Sequence, residues 1–220
     1  MLRRFQDRRD AGQYLAERLS GYANDKNVIV LGLPRGGVPV AYEVARALQA
    51  PLDVFVVRKI GVPGHRELAM GAIASGGVRV LNQDVIDRLG ISSMLVDRVA
   101  AEEEREVARR EREYRDDVPF PSLNGRTVIV VDDGLATGST MRAAVKALRH
   151  HDPARIVVAV PVGARETCRI LGTEADEVVC RNVPDDFHAV SLWYDEFSQT
   201  TDQEVRHLLE GAASRFAPAR

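Results

Sequence analysis

Cysteine is nearly absent from the 220-residue chain: only Cys168 and Cys180 occur, too far apart for a CxxC redox or zinc pair. That scarcity excludes a disulfide framework and reads as two reduced structural thiols in an intracellular protein. No apolar run approaches the ~18 residues of a membrane span. The opening stretch MLRRFQDRRDAGQYLAERL is charged throughout and lacks the apolar centre of a signal peptide. The expected location is therefore the cytoplasm, with no membrane partner. Charge of one sign is also missing. Thirty basic side chains face thirty-two acidic ones, a net charge of -2, and the pI is near 6.2. This balance disfavours a nucleic-acid coat or a polybasic membrane anchor. Aromatics make up only 5%, yet 45% hydrophobic and 28% charged residues exclude a disordered chain. At this length one domain over 1–220 is the economical expectation.

Three continuous apolar runs stand out: 28–32 (VIVLG), 127–131 (TVIVV) and 155–160 (RIVVAV), with a more mixed fourth at 52–57 (LDVFVV). Such runs suit strands buried on both faces of a parallel sheet. Helical spacing follows the first, through Val40, Val44, Ala47 and Leu48, and the second, through Met141, Ala144, Val145 and Leu148. Strand followed by helix, repeated, predicts an α/β fold with a mostly parallel twisted sheet flanked by helices. Residues 92–115 predict a long charged helix, either a solvated surface or a dimerisation or capping element. Residues 181–200 hold the only tryptophan among other aromatics and acids, and predict a small C-terminal cap.

The chemistry concentrates in VIVVDDGLATGSTM, residues 128–141. A buried strand runs into Asp132 and Asp133, then into a loop with Gly134, Thr137, Gly138, Ser139 and Thr140, and a helix begins at once. Close-approaching amides, a helix N-terminus and three hydroxyls suit a phosphate monoester. The two acids would repel bare phosphate, but they can accept hydrogen bonds from vicinal hydroxyls. A ribose 5-phosphate satisfies both halves. Neither GxxxxGK[ST] nor GxGxxG is present.

VVDDGLATGST resembles the phosphoribosyl-pyrophosphate motif of type I phosphoribosyltransferases. The resemblance covers roughly residues 25–200 and implies that fold, with residues 181–200 contributing to a hood. It implies that Asp132 and Asp133 hold the ribose hydroxyls and that Ala136, Thr137, Gly138, Ser139 and Thr140 take the 5′-phosphate. The glycine-rich turn in LGLPRGGVPVA, with Pro34, Arg35, Gly36 and Gly37, is similar to the family's pyrophosphate loop, where a non-proline cis peptide would fall at Pro34–Arg35. Arg58 and Lys59 add positive charge at a strand end, and the glycines of RKIGVPGHRELAMGA read as a mobile lid. Such a lid suits chemistry in which water would capture an oxocarbenium-like species.

The resemblance further implies transfer of the 5-phosphoribosyl group from phosphoribosyl pyrophosphate to a nitrogen of a nucleobase-like acceptor. Mg²⁺ would be the cofactor, touched by Asp132 and Asp133 directly or through water, and a homodimer is the expected assembly. The hypoxanthine-guanine branch carries an aspartate three residues after the second acid. Here that position is Ala136, so proton transfer falls to Glu67 or His65. Phe187 and Trp193 are the expected acceptor-binding aromatics, with Tyr194 able to stack and Asp185, Asp186 or Asp195 able to read exocyclic amines. The lysine that reads the 6-oxo group in the hypoxanthine-guanine branch has no counterpart near Val162 and Gly163. The competing reading is a non-catalytic regulator that binds the same sugar phosphate.

Overall fold

The structure is a computed structural model describing residues 3–116 and 118–216, with the side chains of Arg66, Glu67, Arg215 and Phe216 outside the described set. Strands β1 (Val28–Gly32), β2 (Leu52–Val54), β6 (Thr127–Val131), β7 (Arg155–Val162) and β8 (Glu177–Asn182) form one parallel sheet in the order β2-β1-β6-β7-β8. Every residue of β1 is buried, as are Val128–Val131 of β6 and Ile156–Val162 of β7. Both faces are covered, which is why these strands read as unbroken apolar runs. One face packs against α5 (Ser139–Arg149) through Met141, Ala144, Val145 and Leu148. The other packs against α1 (Arg8–Ala16) and α2 (Gly37–Leu48) through Leu15, Val40, Val44 and Leu48. Asp7 caps α1, its carboxylate accepting the Asp10 amide at 2.8 Å.

The run at 52–57 divides. β2 ends at Val54, Phe55 and Val56 leave the sheet, and β3 (Val57–Val62) enters a second, antiparallel sheet with β4 (His65–Ala74) and β5 (Val78–Leu81). The stretch read from its glycines as a lid is therefore a β-hairpin with its tip at Pro63–Gly64, and Gly61 lies at a register shift rather than in an irregular loop. The predicted cap begins later than residue 181: residues 181–182 complete β8, the fifth strand of the parallel sheet.

The long charged helix is α4 (Ser93–Arg115), opened by Ser92 and laced by pairs such as Arg110–Glu106 and Arg109–Glu113. It is not wholly solvated. Val96, Ala100, Val107 and Tyr114 form a stripe buried with Ile60, Met70 and Ile73 of the hairpin and with Val205 of α7 (Asp202–Phe216). Arg115, only 9% exposed, fastens its end to β2 through Asp53 at 2.8 Å and the Val54 carbonyl. The short helix α3 (Gln83–Arg88) leads into it, and α6 (Arg165–Leu171) connects β7 to β8. Among the described residues no helix is long and apolar enough to cross a membrane.

Candidate active site

β1 and β6 end in register, Gly32 beside Val131, and the Leu33 amide donates to the Val131 carbonyl at 2.9 Å. Two loops therefore leave the sheet side by side at its C-terminal edge, the usual ligand position in open α/β sheets. The loop after β6 carries Asp132 and Asp133, both half-buried. It is pinned from below: the Leu135 amide donates to Val162 O at 2.9 Å and Thr167 Oγ1 to Ala136 O at 2.7 Å. Gly138 then adopts φ 66°, where a side chain is strained, and begins α5 without a side-chain cap. A Cβ there would collide with the Thr167 methyl. Ala136, Thr137, Ser139 and Thr140 are exposed around this turn. First-turn amides and clustered hydroxyls make it suited to an anion.

The loop after β1 supplies the opposite wall. Its Pro34–Arg35 peptide is cis, at the bond the family resemblance singles out. Gly36 lies so near the acidic pair that a Cβ would collide with Asp133 Oδ2. Gly36→Ala should displace that carboxylate; if the pair holds ribose hydroxyls as the resemblance implies, sugar-phosphate affinity should fall by about 10-fold or more while stability drops by only about 1–2 kcal/mol. Calorimetric titration beside a thermal melt checks this, and wild-type affinity would count against the proximity.

Burial raises the Asp132 carboxyl well above the usual aspartate value, helped by the neighbouring Asp133 charge; the Asp133 amide and Arg8 act in the opposite direction. Asp133 is also raised by burial, against the pull of Arg8. Arg8, in the first turn of α1, donates from Nε to Asp133 Oδ2 at 2.9 Å and from Nη1 to Ser198 O at 2.6 Å, and its guanidinium stacks 4.0 Å from the Phe197 ring centroid. Tyr194 donates its hydroxyl to the Asp133 carbonyl at 2.6 Å. Neither Arg8 nor this Tyr194 contact was foreseeable: the arginine is one of several in a basic N-terminal stretch, and no local pattern links it to Asp133.

The remaining predicted residues divide. Lys59 reaches the turn before α5, its Nζ donating to Ser139 Oγ at 3.4 Å. A cavity of about 500 Å³ opens beside that contact between the hairpin and α5. Arg58, on the other face of β3, pairs with Glu103 of α4 at 2.7 Å. Arg35 makes a 3.5 Å pair with Asp202 at the start of α7. His65 is exposed at the start of β4, and the Glu67 side chain lies outside the described residues. Phe187 and Trp193 are half-buried against Phe5, Ala11, Val162 and Tyr194, so the N-terminal segment fills the underside of this cap. Its acids are exposed and lie beside surface side chains: Asp185 by Arg165, Asp195 by Arg4 and Asp186 by His188. Among the described residues no group of three or more His, Cys, Asp or Glu side chains could hold a metal ion.

A family model described as "Phosphoribosyl transferase domain" matches residues 5–66 and 64–196. A Mycobacterium tuberculosis protein named "Putative phosphoribosyl transferase" is 48% identical over 215 residues, covering 98% of this chain and 48% of its own. The chain thus spans about half the length of that relative. The "Bifunctional protein PyrR" of a Roseiflexus species is 33% identical over 173 residues, covering 77% of this chain and 71% of its own. The crystal structure of TT1426 from Thermus thermophilus is 44% identical with a TM-score of 0.85, covering 94% of this chain and 97% of that one. The chain belongs to the phosphoribosyl transferase domain family.

Proposed function

We propose that this chain transfers the 5-phosphoribosyl group of phosphoribosyl pyrophosphate to a nitrogen of a nucleobase-like acceptor and releases pyrophosphate. One observation carries the reading: a half-buried pair of carboxylates stands directly before an uncapped helix N-terminus, and the glycine turn that carries Arg35 stands against the same pair. The amides and hydroxyls of Ala136–Thr140 hold the 5′-phosphate. Asp132 and Asp133 accept hydrogen bonds from the ribose hydroxyls, with Asp133 Oδ2 already steadied by Arg8. Arg35 and Lys59 stand where positive charge favours a departing pyrophosphate, so catalysis is mainly positioning and electrostatics. Phe187 and Trp193, in a hood over 181–200, flank the acceptor.

The donor set also fits Mg²⁺ carried in by the substrate. Two hard carboxylates, one of them shared with an arginine, are too few for a protein cage but match an ion held by one or two acids plus phosphate oxygens. Asp132 and Asp133 would hold it, directly or through water, and when bound it supplies charge neutralisation on the leaving group. Glu67 or His65 is the proton-transfer group of this reading, and the working form is a cytoplasmic homodimer.

Titration with phosphoribosyl pyrophosphate and Mg²⁺, followed by a screen of bases for pyrophosphate release, tests the proposal. Saturable binding and release with one class of base are expected. Gly138→Val should abolish both, because its side chain would enter the space held by Thr167; normal affinity in that variant contradicts the phosphate assignment. A second reading, a non-catalytic regulator binding the same sugar phosphate, is favoured by the packing of Phe187 and Trp193 against the cluster of Phe5, Ala11, Val162 and Tyr194, which leaves both only partly exposed. Binding without release for any base would select it.

A further inference from the structure

The chain's two cysteines lie on different elements, Cys168 in α6 and Cys180 in β8, and the fold brings them to one point. An ideal Cβ on Gly163 would stand 2.8 Å from Cys168 Sγ and 3.1 Å from Cys180 Sγ. The two sulfurs are therefore within about 6 Å of each other, close enough for side-chain rotation to approach disulfide geometry. Gly163 contributes no side chain between them. Both residues are free thiols of intermediate burial, open enough for a small oxidant. We propose that Cys168 and Cys180 are a reversible oxidation site, joined into a disulfide by a peroxide-class oxidant.

The two thiols have different roles. Cys180 Sγ donates to the Asn182 carbonyl at 3.3 Å, which holds its proton in place; the neighbouring Cys180 thiol lowers the Cys168 thiol, while Cys168 and burial raise that of Cys180. Cys168 thiolate attacks the peroxide: an S–O bond forms, the O–O bond breaks, and hydroxide leaves to become water. Cys180 sulfur then attacks the Cys168 sulfenic acid, the S–S bond replaces S–O, and the second water carries away the thiol proton. The pair loses two electrons and two protons while peroxide is reduced to two waters.

The site adjoins the phosphate turn. Thr167, next to Cys168, donates to the Ala136 carbonyl at 2.7 Å and presses its methyl against Gly138. Linking Cys168 to β8 shifts this buttress and loosens the turn. This coupling rests on the proposed sugar-phosphate site; the oxidation itself does not.

The full chain is treated with hydrogen peroxide, then followed by thiol titration and intact mass. Both thiols should disappear with the loss of two hydrogens, and a dithiol reductant should restore them. Cys180→Ser should trap a dimedone-reactive sulfenic acid at Cys168, whereas Cys168→Ser should leave Cys180 unoxidised. Two persistent thiols, intermolecular links, or sulfinic acid without a disulfide would overturn the assignment, and the wild-type measurement alone decides it if a variant does not fold. Oxidised protein should bind phosphoribosyl pyrophosphate several-fold more weakly than reduced protein; equal affinity in both forms overturns the coupling. Reduced protein that does not bind at all counts against the proposed function and leaves the mass result standing.

Discussion

Asp132→Asn should raise the melting temperature of the ligand-free protein at neutral pH while weakening its hold on the proposed sugar-phosphate ligand. Burial, assisted by the Asp133 charge, keeps the Asp132 carboxyl protonated to higher pH in the folded state than in the unfolded chain. Between those two pKa values the native protein binds more protons, so stability falls as pH rises. The favourable contribution is complete below about pH 4 and is lost as pH climbs through the raised folded value. Asparagine is neutral throughout and its Oδ1 can still accept the Asp133 amide, which now donates to Asp132 at 2.9 Å. The variant should therefore match wild type in acid and melt at a higher temperature than wild type at pH 7. Its affinity for the sugar phosphate should fall by about 1–3 kcal/mol, the loss of a charged hydrogen bond. Melts across pH, paired with titrations, separate the two effects. A uniform destabilisation at every pH would mean that the ionised carboxylate contributes to the fold itself.

The second large effect is expected at Arg8. Arg8→Met keeps an unbranched apolar side chain but removes the guanidinium stacked over Phe197, the cation from Asp133 and the donor from the Ser198 carbonyl. The two side chains are only 12% and 16% exposed, so an uncompensated, largely buried carboxylate remains. A loss of about 2–4 kcal/mol is expected, because breaking such a pair leaves one charge desolvated. Asp133 would then hold its proton to still higher pH, and sugar-phosphate binding should become weaker and increase with pH. Lysine should rescue only part, since a point charge cannot match the two-sided, stacked guanidinium. Wild-type affinity and pH dependence in Arg8→Met would remove Arg8 from the site.

What could be read in advance follows from how local each signal was. β1, β6 and β7 were legible because strands buried on both faces must be apolar at every position, and α2 and α5 because their apolar faces keep helical spacing. β8 was not: EVVCRN mixes polar and apolar residues at the sheet margin and is only half-buried along most of its length. The hairpin was mistaken for a loop because glycine marks a bulge and a strand interior as readily as a hinge. In the site, the acidic pair and the turn before α5 form one contiguous segment, so their juxtaposition was written in order. Arg8, Tyr194 and Asp202 reach it from the two ends of the chain, and their contacts depend on tertiary packing that no spacing encodes. The cysteines show the same limit: reading them as separate structural thiols missed their meeting at Gly163.

A crystal of this protein soaked with phosphoribosyl pyrophosphate and Mg²⁺ is the most direct check. The expected electron density has the phosphate on the main-chain nitrogens of residues 136–140 and the vicinal hydroxyls against Asp132 and Asp133. Density for the sugar at any other surface, with those nitrogens still unengaged by it, would contradict the account.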